Sequence, residues 1–294
     1  MVELCAAALF AVAMPADSSF AVYDGQGRPA ALDDVCLAAG AADVVFLGEI
    51  HNDPTAHALQ LALFHAVAED ARGAYRRPLA LGLEMFETDV QLVLDEYAAG
   101  LIRERDFLAA ARPWERYPTD YRPLVEAARE AGAAVLATNA PKRYVSRVAT
   151  EGVAWLDSLG AAALATLPPR PIAPASEATT AAFAEVMGGM GMGHGHGGPT
   201  LATMLDAQNL RDASMAQVVA GWLAAHERGL VVHVNGSFHS EAGRGIPEHL
   251  ARLAPAARAL TVTMRPAADV AASPGPSGDD FVVLTDAALV PAGR

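Results

Sequence analysis

The chain has 294 residues, of which 52% are hydrophobic, and its formal net charge is -13. A chain of this length and apolar content can bury a substantial core in one large domain, which excludes a disordered protein. Its 21 lysine and arginine side chains stand against 34 acidic ones, so there is no basic stripe along which a nucleic-acid backbone could bind. We therefore expect no nucleic-acid partner.

The first 19 residues are predicted to be either a degenerate export signal or an ordinary N-terminal segment. Residues 6–13 form a short apolar run followed by small residues, as in a secretory signal. The segment before this run carries Glu3 and no positive charge, which does not fit such a signal. Cys5 and Cys36 have no C-x-x-C spacing, so we expect neither a metal knuckle nor a disulfide framework. Residues 20–294 are expected to form a single domain.

The elements predicted along the chain alternate between strand and helix. The apolar run at 44–48 is typical of a buried strand, and Pro54 fits the first turn of the helix after it. Alternation of this kind predicts an α/β fold with a mainly parallel central sheet flanked by helices. The other predicted strands are 20–24, 79–86, 133–138, 230–235, 259–264 and 281–285, and the principal helices are 54–72, 124–131, 201–228 and 246–253.

Residues 150–200 are predicted to be a helical and loop insertion that acts as a lid over one edge of the sheet. Four prolines interrupt the alternating pattern between 168 and 174. Residues 187–198 then carry glycine at nearly every second position, which favours a mobile loop. The thioether and imidazole groups of this loop suit copper(I), and both can ligate haem iron. The candidate ligands are Met190, Met192, His194 and His196.

Polar side chains follow four of the predicted strands. The carboxyl ends of parallel strands meet at one edge of a sheet, where α/β proteins bind their ligands. Two histidines with one or two carboxylates form a common ligand set for zinc or another divalent transition metal. We therefore predict a cleft that holds Glu49, His51, Glu84 and His239, supported by Asn139, Asn235, and by Gln208 and Arg211 from the helix at 201–228.

The aromatic segment 113–123, which contains several prolines, is predicted to form a wall of this cleft. Tyr117 and Tyr121 within it are candidate phenolate ligands to ferric haem. The alternative for both tyrosines is simple packing beneath the loop.

Six short motifs in this order resemble the ChaN-like haem-binding uptake proteins. That family belongs to a superfamily with the Tiki proteases and the erythromycin esterases, and the resemblance covers residues 20–265. The motifs are GEIHND at 48–53, LEMF at 83–86, YPTDYRP at 117–123, TNA at 138–140, AQ with a later D and MA within 207–216, and NGSFH at 235–239.

The resemblance implies an α/β protein that binds haem and takes part in iron acquisition, often as an exported lipoprotein of Gram-negative bacteria. It predicts a periplasmic or membrane-associated location, a homodimer, and an outer-membrane uptake system as partner. In the Tiki branch, two G-x-x-H motifs and a glutamate form a proposed metal centre. Here these motifs match Gly48 to His51 and Gly236 to His239, with Glu84 as the glutamate.

Three functions stay open at this point. The first is a haem- or metal-binding protein for uptake or handling, which we prefer and which would not be an enzyme. The second is a metal-dependent hydrolase in which Glu49 or Glu84 acts as general base on a metal-bound water. The third is a copper-handling protein that uses the Met/His loop.

Overall fold

The computed structural model describes residues 17–73, 77–189 and 198–292, which form an eight-stranded sheet with helices on both faces. The strands are β1 (Phe20–Asp24), β2 (Pro29–Ala30), β3 (Val44–Glu49), β4 (Leu79–Glu87), β5 (Ala134–Asn139), β6 (Leu230–Gly236), β7 (Ala259–Ala267) and β8 (Phe281–Asp286). The helices are α1 (Leu32–Ala41), α2 (Pro54–Arg72), α3 (Gln91–Ala98), α4 (Glu104–Ala111), α5 (Arg122–Ala131), α6 (Lys142–Glu151), α7 (Ala161–Leu164), α8 (Glu177–Gly189), α9 (Leu201–Ala225) and α10 (Ile246–Leu253).

The sheet is mixed, which corrects the expectation of a mainly parallel one. Its order is β2-β1-β8-β7-β3-β6-β4-β5. Neighbouring strands from β8 to β5 are parallel, whereas β1 pairs antiparallel with both β2 and β8. The turn between β1 and β2 is too short for the crossover that a parallel pair requires, so these two strands can pair only antiparallel.

Strand β3 lies in the middle of the sheet, and all its residues are buried. Alternate side chains of a strand point to opposite faces, so β3 contributes to two hydrophobic clusters. Leu47 belongs to the larger cluster together with Leu63 of α2. Phe46 belongs to the cluster on the other face, which includes Met215 and Val219 of α9. Burial on both faces explains why β3 is a continuous apolar run rather than an alternating one.

The turn from β3 into α2 is held by Asp53, the N-cap of that helix. Its Oδ1 accepts hydrogen bonds from the backbone N–H of Thr55 at 2.9 Å and of Ala56 at 3.1 Å. Pro54 fits the first turn because its missing N–H would have no partner there. The other carboxylate oxygen of Asp53 accepts a hydrogen bond from the Thr285 hydroxyl of β8. This cap fixes the short segment on which His51 lies.

The segment predicted as an insertion packs against α6 and α9 through a hydrophobic cluster of its own. That cluster includes Val148 of α6, Leu156 of the insertion and Leu210 of α9. Helix α8 lies within the same segment and ends at Gly189. A lid over the sheet edge stays a prediction. Within the described ranges, no helix is long and apolar enough to cross a membrane.

Candidate functional site

The carboxyl edge of the sheet brings together the strand-end residues predicted from the sequence. Strand β6 lies between β3 and β4, so the ends of these three strands are neighbours. The backbone N–H of Gly236 donates a 2.7 Å hydrogen bond to Oε2 of Glu84. Nε2 of His239 lies 3.3 Å from Oε1 of the same carboxylate. Glu49, His51, Glu84 and His239 therefore share one region, as expected from parallel strand ends.

Glu49 is the centre of a buried hydrogen-bond cluster. Its Oε1 accepts from the Tyr121 hydroxyl at 2.6 Å and from Nδ1 of His51 at 3.0 Å. Its Oε2 accepts from Nε2 of Gln60 at 2.7 Å and lies 3.2 Å from Nδ1 of His57. Burial alone would raise the pKa of Glu49, but the hydrogen bonds from His51, His57 and Tyr121 lower it to about 2. The carboxylate is therefore ionised at neutral pH.

His57 is the cationic partner of this cluster. Its Nε2 lies 3.2 Å from the His51 carbonyl oxygen and 3.4 Å from Asp120. Burial opposes the charged form, but the neighbouring carboxylates of Glu49 and Asp120 raise the pKa of His57 to about 9. His57 is not among the site residues predicted from the sequence. The sequence feature that could have identified His57 is its spacing from Gln60. Residues three apart on a helix lie on one face, and these two side chains both face Glu49 from the first turns of α2.

His51 extends from the Glu49 cluster to the protein surface. Its side chain is 45% exposed, and its ring packs edge-on against Trp114 with the ring centroids 4.9 Å apart. A β-carbon added to Gly236 would lie 2.9 Å from Nε2 of His51 and 3.6 Å from Oε2 of Glu84. Gly236 is therefore required for the close approach of this imidazole. Burial opposes the shift, but Glu49 and Glu84 raise the pKa of His51 above its usual value.

His239 lies between two buried carboxylates. Its Nδ1 donates a hydrogen bond to Asp212, and its Nε2 faces Glu84. Burial opposes protonation, but these two charges raise the pKa of His239 to about 10. The pKa of Glu84 lies well below its usual range, because the charge of His239 outweighs the effect of burial. Burial raises the pKa of Asp212 despite the neighbouring histidine.

The predicted metal site receives no support from this geometry. Nε2 of His239 faces Glu84 and its Nδ1 faces Asp212, so both ring nitrogens have carboxylate partners. Across the residues that the structure describes, no three His, Cys, Asp or Glu side chains are placed to hold one ion. The pair of histidines and the two glutamates are arranged instead as two hydrogen-bonded ion clusters.

The four residues predicted to support the site all lie beside these clusters. Nδ2 of Asn139 donates to the Glu84 carbonyl oxygen at 3.1 Å, and Oδ1 of Asn139 accepts from Nη1 of Arg211 at 3.5 Å. The Gln208 amide lies 2.9 Å from Nδ1 of His239. Nδ2 of Asn235 donates to the Ser240 hydroxyl at 2.9 Å. Asp212, which the site prediction omitted, is four residues beyond Gln208 on α9 and reaches the same histidine, as i and i+4 side chains do.

The two candidate tyrosines are buried in a π-helical turn at Tyr117–Tyr121. Tyr117 is 1% exposed and Tyr121 is 0% exposed. Tyr121 is engaged by Glu49, whereas Tyr117 packs against Phe86 and Phe107. Burial raises the pKa of both phenols above their usual range and opposes a phenolate. Both tyrosines are enclosed by the protein, and Trp114 of the same segment is the aromatic side chain that packs against His51.

Replacing Tyr117 with phenylalanine is expected to leave the free energy of unfolding unchanged or to raise it by about 1 kcal/mol. The Tyr117 hydroxyl is buried and has no hydrogen-bond partner among the described residues. The matched control is Tyr121→Phe, which removes a hydrogen bond to the charged Glu49 and is expected to destabilise by about 1.5–3 kcal/mol. Urea unfolding measures both. A larger loss for Tyr117→Phe than for Tyr121→Phe would show that the Tyr117 hydroxyl has a partner.

The predicted ligands of the Met/His loop, Met190, Met192, His194 and His196, lie outside the described residues. Their role in binding haem or copper stays a prediction from the sequence.

Comparison with known proteins identifies relatives of this chain. Residues 36–250 match the sequence model of the family described as haem-binding uptake, Tiki superfamily, ChaN. The solved structure of ChaN from Campylobacter jejuni, described as showing cofacial haem binding, has a TM-score of 0.71 and 17% sequence identity, and the match covers 93% of this chain and 100% of that one. This structural likeness supports the fold.

Two further solved structures are more distant. An erythromycin esterase in its open conformation has a TM-score of 0.47 and 11% identity, with 91% of this chain and 83% of that chain covered. The type III effector HopBA1 has a TM-score of 0.46 and 11% identity, with 87% and 93% covered. Curated protein sequences contain no significant match. The extent of the family match, together with the fold, shows that this chain belongs to the ChaN family of haem-binding uptake proteins in the Tiki superfamily.

Proposed function

We propose that this chain binds haem at the carboxyl edge of its sheet, with His51 facing the iron. The observation that carries the proposal is the arrangement of His51. Its Nδ1 donates to the buried carboxylate of Glu49 at 3.0 Å, while the ring is half-exposed and its Nε2 lies against Gly236. Histidines that ligate metals characteristically donate their other ring N–H to a carboxylate, which fixes the tautomer and raises the basicity of the ligand nitrogen. Histidine is also a common axial ligand of haem iron.

His51 fits this role better than four other histidines of the described ranges. His57 and His239 are buried between carboxylates and are protonated at neutral pH. His233 is buried, and burial lowers its pKa to about 4. His226 stacks on Trp222 near the start of β6, at the opposite edge of the sheet. Only His51 in this set combines exposure with a fixed tautomer at the carboxyl edge.

Haem would supply a ferric iron that takes an axial nitrogen ligand and a flat apolar face that packs on aromatic side chains. The residues beside His51 fit these two properties. Trp114 packs edge-on against the His51 imidazole. Ile50, the residue before His51, has a large apolar side chain that is exposed. An exposed apolar side chain beside an oriented imidazole is the combination expected at a haem face.

His51→Ala is expected to weaken haem binding by at least about tenfold, because the axial ligand and its carboxylate support are both lost. Titration of hemin into the purified protein, followed by absorption in the Soret region, measures this change. Glu49→Gln is expected to weaken binding by about 10- to 100-fold while leaving the imidazole in place. The control is His226→Ala, which leaves the cleft intact. Equal affinities for His51→Ala and His226→Ala would contradict the assignment of His51.

We further propose that haem binding serves uptake or handling in the periplasm or at a membrane, with a homodimer as the working form and an outer-membrane uptake system as partner. Membership of the ChaN family supports this part of the proposal. Analytical ultracentrifugation with and without hemin tests the dimer. A protein that is monomeric both with and without hemin would contradict the proposed dimer but not the proposed haem binding.

Hydrolysis is a second candidate function, favoured by the pairing of His51 with Glu49. A half-exposed imidazole whose Nδ1 is held by a carboxylate is the usual arrangement of a general base. Turnover of an ester substrate, measured with and without a chelator, tests this function and its metal dependence together. Metal analysis of the purified protein tests zinc and copper directly. Turnover that is unchanged in His51→Ala would argue against this candidate.

A further inference from the structure

A cavity lies between α9, α10 and the proline-rich segment at 168–173, and its lining includes none of the candidate site residues. Its volume is about 220 Å³. A cavity of about 150 Å³ holds a benzene ring, whereas sites for drug-sized ligands measure about 300–1,000 Å³. The cavity therefore has room for a ligand built on one substituted ring.

Helix α9 separates this cavity from the His239 cluster. Residues four apart on a helix share one row of its surface. Ala213 and Gln217 are four apart on α9, and both line the cavity. Gln208 and Asp212, also four apart, form the neighbouring row and contact His239. The cavity is therefore next to the His239 cluster without being part of it.

The proline-rich segment forms an apolar wall of the cavity. Prolines have no backbone N–H, so the wall offers few polar groups. Hydrogen bonds tie the segment to both helices. The Ala173 carbonyl oxygen accepts from Nδ2 of Asn209 on α9 at 2.9 Å. The Pro174 carbonyl oxygen accepts from Nη1 of Arg252 on α10 at 3.3 Å. The prolines that line the cavity are Pro168, Pro169 and Pro171.

His249 supplies a hydrogen-bond acceptor at this cavity, which it lines although its side chain is buried. The Asn209 amide group donates to Ala173, so Oδ1 of Asn209 accepts from Nε2 of His249 at 2.8 Å. Burial lowers the pKa of His249 below its usual value, so the imidazole is neutral and Nδ1 keeps a lone pair. No residue of the described ranges donates a hydrogen bond to this Nδ1. A buried polar atom of this kind is favourable only with a partner.

The charged side chains that line the cavity are Arg170 and Arg252, and none of the described residues in the lining is acidic. Both Nη groups of Arg252 are engaged, by Glu248 and Pro174. Arg170 pairs with Asp157, whose side chain is 72% exposed, and an exposed ion pair contributes little to stability. Guanidinium groups bind carboxylates and also stack on aromatic rings. The lining therefore favours an anionic aromatic ligand whose charge faces Arg170.

We propose that this cavity binds a small aromatic carboxylic acid that bears a hydroxyl group. The ring packs between the proline wall and Ala213, and the hydroxyl group donates to Nδ1 of His249. The carboxylate pairs with Arg170, and Arg252 adds positive charge beside the ring. Binding here requires neither haem nor His51, so this second ligand site goes beyond the proposed function.

Calorimetric titration of wild-type protein with the isomers of hydroxybenzoate tests this site, because the isomers hold the hydroxyl and the carboxylate at different separations. We expect one isomer to bind at least about tenfold more tightly than its neutral hydroxybenzamide, since hydrogen bonds to charged groups are the strong ones. The same isomer should bind about fivefold more tightly than benzoate, which lacks the hydroxyl donor for His249. Failure of every isomer to bind would overturn the proposal. Equal binding of the best isomer and either comparison compound would overturn it as well.

Two variants test whether the ligand lies in this cavity. Ala213→Leu fills part of the cavity and should abolish binding. Arg170→Gln should weaken hydroxybenzoate binding by about tenfold and leave hydroxybenzamide binding unchanged. The control is Arg28→Gln, which removes an arginine paired with Asp24 outside the lining and should change neither affinity. Hydroxybenzoate binding that stays unchanged in both variants would place the ligand elsewhere and overturn the proposal. The comparison of compounds on wild-type protein needs no variant and stays decisive if Ala213→Leu folds poorly.

Discussion

His239→Ala is expected to lower the free energy of unfolding by about 3–5 kcal/mol, which is the usual cost of removing one partner from a buried ion cluster. In the native chain, the His239 imidazolium is the charge that both Glu84 and Asp212 face. All three side chains are buried. Without the imidazolium, two carboxylates stay close together in a region of low dielectric, where each raises the cost of ionising the other.

Urea unfolding of wild-type and variant protein measures this loss. The control is His226→Ala, which removes a histidine outside the clusters and is expected to change stability by no more than about 0.5 kcal/mol. The variant offers a second readout. Because its unpaired carboxylates bind protons more tightly than in the unfolded chain, we expect His239→Ala to regain stability as the pH falls towards the usual pKa of a carboxyl group. A small loss that does not depend on pH would contradict the ion-cluster description.

The stability of the wild-type protein is expected to fall steadily on the alkaline side of neutrality. The pKa of His239 is raised from 6.5 to about 10, and that of His57 from 6.5 to about 9. The folded chain therefore binds more protons than the unfolded chain between these values. Since stability falls with pH wherever the folded state holds the extra protons, the contribution is complete below pH 6.5 and is lost as the pH rises through 9 and 10.

Equilibrium unfolding across this pH range tests the expectation. His57→Gln keeps a hydrogen-bonding side chain but cannot titrate, so it should remove the part of the decline that ends near pH 9. The part that ends near pH 10 should persist, because it belongs to His239. His226→Ala should retain the whole wild-type decline. A flat alkaline profile in the wild-type protein would show that neither histidine is protonated in the folded state.

The two ion clusters determine the surroundings of His51. Glu49 and Glu84 are both buried and ionised, yet neither is directed at solvent. The Glu49 cluster orients His51 through a single hydrogen bond. The His239 cluster adjoins the same imidazole through Gly236, which donates a hydrogen bond to Glu84. The partly exposed groups beside these clusters are His51, Trp114 and Arg211.

Several features of the fold and the site could be predicted because they depend on short stretches of sequence. A continuous apolar run predicted the central strand β3, and Pro54 marked the start of α2. The rule that parallel strands end at one edge was enough to group Glu49 with Glu84 and His239. It needed no knowledge of side-chain direction, since it follows from strand polarity alone. The six short motifs, taken in their order along the chain, likewise indicated the ChaN family.

Other features depend on contacts between residues far apart in the chain. β1 and β8 are far apart in the chain, so their antiparallel direction is decided by how the two strands pair in the sheet. Whether Tyr121 faces a ligand or Glu49 depends on how its turn packs against β3. The charge of His239 depends on Asp212 and Glu84, which approach it from two different elements.

The sequence by itself therefore determined which residues meet at the carboxyl edge, because strand polarity places them there. Only the tertiary structure decided what those residues do for one another. It places the glutamates of the predicted metal set in two ion clusters, in which each carboxylate accepts a hydrogen bond from a neighbouring N–H group. It also left His51 half-exposed and Arg211 without an ion-pair partner among the described residues. Burial and charge pairing are properties of the packed chain, and they select the groups that remain free to bind a ligand.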